Sequence, residues 1–491
     1  MLRPWEIEIE LTRQSNAPLR AQIVNKIIEE IQQGRFIIGQ ALPGTRELAI
    51  KLNVNRKTVM LAYEELIAQG WLVSENKRGT FVSATISSLN HSAKPIKKLD
   101  FAFKNKTVIE PNVSKNKIAE TNVIHFSNGL ADSRLIPLAT FSRAMRHALI
   151  STIRTNKPAY SEPKGVLALR EAITQMLNMG RGLHADVENI CIVSGRQMGF
   201  FLVGRVLVRP NDVIVVEKLS DQLATHAFTD CGATIVTVPQ NAQGIDLTAL
   251  ENVCKTTAIR AVYVSPHYQI PTTVAMPATH RKRLLALADE YDFLIIEDDR
   301  DFEFNFKTKP IQPIASLNKP NRVIYVGSLS NVLAPNFRIG FIVASREIIK
   351  QFANQILMIG LQGNTMTELA VAELLQMGEI NKHTLKIAKI YAERRSYVCT
   401  LIRDELSHYV SFNIPDGGLA LWLIVHAQIN MQLLIKDAEI EKVRFDIGSN
   451  YSSSFEQVSA IRLGFADLNN DELKLGIKRL KTAFQRQASV K

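Results

Sequence analysis

Between residues 213 and 343 six short runs of β-branched and aromatic residues recur, at 213–216, 234–238, 261–264, 293–296, 323–326 and 340–343, with helical stretches between them. A strand with one wet face alternates apolar and polar residues. A near-continuous apolar run has both faces covered, and intervening helices supply the cover. The pattern predicts an α/β doubly wound architecture. The stretch 368–491 reads as a smaller α+β lobe, with helices expected around 417–423 and 461–465. At 491 residues the chain exceeds what one core sustains, so two or three domains are expected.

The N-terminus has a different rhythm. Leu19, Ile23, Ile27 and Ile31 recur every fourth residue, predicting an amphipathic helix over 18–33 that starts at Pro18 and stops at Gly34. A short helix is expected at 45–52. After a tight turn comes a longer helix in which Asn55 caps the start and Val59, Ala62, Tyr63 and Leu66 share one face. Strands at 70–73 and 80–83, joined by a basic tip at 75–79, complete a winged helix-turn-helix.

A helix entering the major groove needs donors at its N-terminus and nearby cations for phosphates. Asn55, Arg56, Lys57 and Thr58 supply the donors; Arg46, Lys77 and Arg78 supply the cations. The bland alternative is a small helical domain with a solvated basic face. From 84 to 122 seven lysines are scattered among Ser, Asn and Pro with few apolar residues, the composition of a flexible basic linker.

Apolar content of 46% and charged content of 22% exclude a mostly disordered, collagenous or coiled-coil chain. No apolar run approaches the roughly 18 residues of a membrane span, and residues 1–10 do not resemble a signal peptide, so a cytoplasmic protein with no membrane partner is expected. Cys191, Cys231, Cys254 and Cys399 lack ligand spacing, and no metal site is expected. The net charge of +12 invites a polyanion, but residues 1–83 carry only +2 of it and the linker +4. DNA binding is therefore argued from where particular side chains sit.

Four stretches then carry a resemblance. Leu42-Pro43-Gly44-Thr45-Arg46-Glu47-Leu48-Ala49, Val54-Asn55-Arg56-Lys57-Thr58-Val59 and Ala62 to Trp71, followed by Gly79-Thr80-Phe81-Val82, resemble the winged helix of GntR-type transcription regulators. The resemblance implies DNA contacts at Arg46, Asn55, Arg56, Lys57, Thr58 and the wing at Gly79. From His125 to about Phe484 the chain resembles fold-type I aminotransferases, which hold pyridoxal 5′-phosphate (PLP). The matching stretches include Phe126 to Asp132, Tyr160 with Gly165, Ser194-Gly195-Arg196-Gln197, Glu297-Asp298-Asp299, Ser328-Leu329-Ser330, Arg338-Ile339-Gly340 and Arg462-Leu463. Together the halves resemble the MocR-type subfamily of GntR regulators. The expected organisation is a winged helix at 1–83, a linker at 84–122 and an aminotransferase-like domain at 123–491, its small lobe at roughly 368–491.

The resemblance assigns roles. A phosphate needs backbone N–H groups at a helix start, hydroxyls and a cation. Ser194, Gly195, Arg196 and Gln197 open a helix after a strand, and Ser328, Ser330 and Arg338 match the phosphate ligands. Tyr160 matches a tyrosine that reaches the neighbouring subunit's phosphate. Asp298 matches the carboxylate beneath the pyridine nitrogen, and Arg462 the arginine that grips a substrate carboxylate. For Arg196 two readings stand, a further cation for the anion or a solvated residue at a helix start. Asp298 is either a cofactor ligand or a leftover acid satisfied by Arg300.

Three departures follow. The lysine that forms the Schiff base is Asn331, and an amide neither forms an imine nor acts as a base near neutral pH. The tyrosine expected at the ring hydroxyl is Arg300, and the aromatic expected over the ring is Asp221. Arg300 and Asp221 are expected to pair across the former cofactor site. The chain thus reads as a DNA-binding transcription regulator, a head-to-tail homodimer on double-stranded DNA, whose aminotransferase-like domain senses a small-molecule effector without transamination. PLP held non-covalently, pyridoxamine phosphate, a preformed PLP–amino acid imine and an unrelated carboxylated or phosphorylated metabolite all remain open as ligands. One rival is a working PLP aminotransferase with a DNA-binding appendage, and a second is a pure scaffold with an empty pocket.

Overall fold

Pro18, whose ring fixes φ and removes an N–H that a helix start does not need, precedes helix α1 (Leu19–Gln32), which buries Ile23, Val24, Ile27 and Ile31. The computed structural model describes residues 11–12, 17–75, 78–84, 122–126, 129–154, 162–307, 311–317, 322–333, 335–453 and 456–488. Lys77, Tyr160, Ser127, Asn128 and nearly all of the linker expected at 84–122 lie outside these residues. The chain divides into two compact units, Met1–Lys115 and Asn116–Lys491.

In the first unit α3 (Arg56–Ala68) packs against both α1 and α2 (Thr45–Lys51). The Asn55 side chain accepts from Lys57 N at 2.8 Å, a cap worth about 1 kcal/mol. Val59, Ala62, Tyr63 and Leu66 turn inward onto Ile23, Ile27 and Leu48. The hairpin β1 (Leu72–Glu75) and β2 (Gly79–Val82) pairs Leu72 with Val82 and Glu75 with Gly79. The first strand starts two residues later than expected because Gly70, at φ 80°, ends α3: its N–H bonds to Ile67 O and that of Trp71 to Leu66 O.

The second unit is built on a seven-stranded sheet in the order Ile190–Val193, Gly340–Val343, Val323–Ser328, Leu294–Asp299, Ala261–Val264, Val213–Glu217, Thr234–Val238. Gly340–Val343 is antiparallel to both neighbours and the other pairs are parallel. Alternate residues of each strand feed different cores. Ile214, Val216, Tyr263 and Ile296 join Phe200 and Phe228 on one face, and Val215, Val262, Val264 and Ile295 join Leu284 and Leu287 on the other. Both faces are covered, as the continuous apolar runs required.

The expected helices around 417–423 and 461–465 are instead strands. Ala420–Val425 and Ala460–Gly464 pair antiparallel from Ala420 with Gly464 to Ile424 with Ala460, within a four-stranded sheet. Five of the six residues of the first strand and all five of the second are buried. A run with no polar stripe at helical period and so few residues is a buried strand. Among the described residues no helix is long and apolar enough to cross a membrane.

Candidate functional site

The first candidate surface is the N-terminus of α3. Arg56 and Lys57 are exposed there, and Arg46 is exposed on α2. Arg56 Nε lies 3.4 Å from Thr45 Oγ1, which links the two helix starts. Asn55 spends its carbonyl oxygen on the cap and keeps its amide hydrogens, while Thr58 is half-buried. The first turn of α3 holds no acidic residue, so its partial positive charge adds to both cations. On the wing, Arg78 lies 2.6 Å from Glu75 and over the Phe81 ring, beside Gly79 at the start of β2.

The second candidate site lies where parallel sheets place ligands, beyond the carboxyl ends of their strands. Strand Ile190–Val193 ends at Ser194, and Gly195, at φ 86°, turns the chain into helix Arg196–Leu207. A β-carbon on Gly340 would lie 2.8 Å from the Gly195 carbonyl carbon, so glycine there lets the helix start sit against the next strand. The first N–H groups of that helix have no acceptor within it. Ser328, ending its own strand, has Oγ 2.9 Å from Ser330 Oγ and 3.2 Å from Ile339 O, and accepts from Ser330 N at 3.1 Å. Arg338 holds a left-handed φ of 49° and donates to Ser194 O at 3.1 Å. Backbone strain of this kind concentrates at ligand sites. Together with Arg300 and Asn331 these residues line a cavity of about 170 Å³.

Beneath them the sequence expectation changes. Arg196 is not solvated. Its Nη1 lies 2.5 Å from Asp298 Oδ2 and its Nη2 2.8 Å from Asp221 Oδ2, and its side chain is only 12% exposed. Two acids distant in sequence, Asp298 on its strand and Asp221 at the start of helix Gln222–Asp230, draw the guanidinium inward, and the Phe200 ring lies 5.2 Å from its central carbon. Asp298 also accepts from Tyr263 Oη at 2.8 Å, a partner that the apolar run 261–264 did not single out. Asp298 Oδ1 is buried with no hydrogen-bond partner among the described residues. Burial pushes the Asp298 carboxyl up, with Arg196 opposing it. Asp221 goes the other way: burial raises it, and Arg196, then Arg300, bring it below the ordinary range. Arg196 is therefore hydrogen-bonded to the acid expected to pair with Arg300, and Arg300 adds a second positive charge.

Asn331 donates through Nδ2 to Asp301 Oδ1 at 2.8 Å, an acid the sequence reading had not named. Arg462 is buried in strand Ala460–Gly464 and donates to Pro271 O at 2.7 Å; burial lowers its pKa, and Arg300 acts the same way.

These residues suit a phosphate and do not suit the rest of PLP. Hydroxyls, helix N–H groups and Arg338 fit the phosphate, but among the described residues no lysine and no aromatic lines the cavity, and Asp298 already holds a guanidinium on Oδ2.

Residues 130–480 match the family model described as aminotransferase class I and II, and residues 19–82 that of bacterial regulatory proteins, gntR family. The chain is 28% identical over 489 residues to the uncharacterized HTH-type transcriptional regulator YdfD of Bacillus subtilis, covering 98% of this chain and 99% of that protein. To the probable rhizopine catabolism regulatory protein MocR of Rhizobium meliloti it is 27% identical, covering 96% of this chain and 95% of that one. Among solved structures, the α-aminoadipate aminotransferase LysN of Thermus thermophilus, complexed with N-(5′-phosphopyridoxyl)-L-leucine, superposes with a TM-score of 0.70 at 26% identity, over 75% of this chain and 94% of that one.

Proposed function

Because this chain belongs to the aminotransferase class I and II family and carries a winged helix of the gntR family, we propose that it is a transcription regulator that binds double-stranded DNA and senses a small molecule without transaminating it. Asn331 carries this reading: its amide stands at the position of the Schiff-base lysine and is bonded to a buried acid. The winged helix reads DNA through the exposed Asn55, Arg56 and Lys57, with Arg46 and the wing on phosphates. Relatives named as regulators that align over nearly the whole chain support the assignment.

The effector enters the cavity anion first, onto Ser328, Ser330, Arg338 and the start of helix Arg196–Leu207. The regulator acts in the cytoplasm as a head-to-tail homodimer, and the segment at 84–122 lets its two winged helices be repositioned. Leu138 and Ile153 on helix Leu138–Arg154 and Met179 on helix Leu167–Arg181, 74%, 69% and 80% exposed, support burial of these two helices against another copy. A ligand shifts the spacing of the winged helices only if it binds two arrangements with different affinity.

The test is absorbance of the purified protein with PLP and an amino acid, before and after borohydride reduction, beside DNase footprinting of its own upstream region. Protection of the DNA with no reducible adduct is expected. A reducible aldimine that turns over amino acids would establish the rival enzyme reading instead.

A further inference from the structure

The place of a pyridine ring in this pocket is taken by the chain itself. Arg196 bridges Asp298 and Asp221 at 2.5 and 2.8 Å. A guanidinium is flat, delocalised and permanently charged, so it offers Asp298 what a protonated pyridine nitrogen would, an N–H aimed at a carboxylate. Asp298 is fully buried and the Asp221 side chain 9% exposed. Arg196 and Tyr263 take Asp298 Oδ2, so a pyridinium would have to use the buried Oδ1 beside a guanidinium of the same charge, or expel Arg196 and break a buried ion pair, which is strongly unfavourable.

The anion end is open by contrast. Arg338 is exposed, and no carboxylate among the described residues pairs with it. Among the described residues Arg196, Arg300 and Arg338 contribute to the cavity lining and no acid does, while Asp298 and Asp221 stand behind Arg196. The cavity, about 170 Å³, is also smaller than the roughly 300–1,000 Å³ usual for larger organic ligands.

We infer that the pocket takes a short, non-aromatic phosphomonoester that also bears a carboxylate, in preference to PLP, because Arg196 fills the ring's place while Ser328, Ser330 and Arg338 keep the phosphate's. The phosphate meets the two serines, Arg338 and the helix N–H groups; Arg300, on the same lining, is the cation for the carboxylate. This inference rests on the reading of the pocket as a sensing site.

The test is calorimetric titration of the full chain with 3-phosphoglycerate, inorganic phosphate and PLP. The wild type is expected to bind 3-phosphoglycerate at least about tenfold more tightly than PLP, and Arg338→Ala to lose about tenfold of that affinity. The charge-balanced double variant Arg196→Gln, Asp221→Asn frees Asp298 and is expected to bind PLP about tenfold more tightly than the wild type does. If the double variant fails to fold, the wild-type ratio decides alone. PLP binding to the wild type more tightly than 3-phosphoglycerate overturns the inference and leaves the sensing reading standing. Absence of binding by all three ligands overturns both.

Discussion

Asn331 Nδ2 lies 2.8 Å from Asp301 Oδ1, and both side chains are buried. Asn331 is thus a donor to a buried carboxylate. Asn331→Ala removes that donor and leaves an acid stranded in a low dielectric. A loss of about 1–3 kcal/mol in unfolding free energy is expected by urea denaturation. A stability equal to wild type would show that Asp301 is served well without Asn331.

Placing a lysine at position 331 is not expected to create aldimine chemistry. In Asn331→Lys the new ammonium would meet Asp301, and a nearby carboxylate favours the protonated amine, which is not a nucleophile. Arg196 would still hold Asp298. Borohydride reduction with PLP followed by intact-mass measurement should therefore show no adduct on this variant, and a stoichiometric adduct would refute the account of the pocket.

On the winged helix, Arg56→Ala with Lys57→Ala is expected to abolish specific footprinting at unchanged melting temperature, since both side chains are exposed. The slope of log affinity against log salt should also fall by about 1–2 as phosphate contacts are lost. Footprints that persist would move the DNA-reading surface away from the start of α3.

What the sequence could and could not convey differs by residue. The strands were legible because runs such as Val213–Glu217 are buried on both faces, a property written into consecutive residues. The cradle of Ser328, Ser330 and Arg338 was legible because it lies within eleven positions of one segment. Arg196 was not. An arginine at a helix start is solvated by default, and what draws this one inward is Asp221 and Asp298, 25 and 102 residues away. Tyr263 was hidden for a related reason, since in an unbroken apolar run an aromatic reads as core until the strand register fixes which face it meets. The strands at 420–425 and 460–464 were mistaken because short apolar runs carry no period to separate helix from strand.

Buried acids outside the pocket contribute to the pH dependence of stability. Glu217 sits at the end of its strand, accepts from Gln269 Nε2 at 3.0 Å and is 2% exposed. Burial pushes its carboxyl up to about 8, and burial likewise pushes Glu297 and Glu368 up to about 7. Each is thus raised above its unfolded value of 4.5. Below that value folded and unfolded chains bind the same proton and the full contribution to stability is present. As pH rises, the unfolded chain ionises first and the contribution drains away until the folded group also ionises, near 7 for two of the acids and near 8 for Glu217. Glu217→Gln keeps an acceptor for Gln269 and removes the titration. The variant should lose less stability than the wild type between pH 5 and pH 8, by roughly 1–4 kcal/mol. Parallel denaturation curves at the two pH values measure this directly, and equal losses in both proteins would mean that Glu217 is ionised in the folded state throughout.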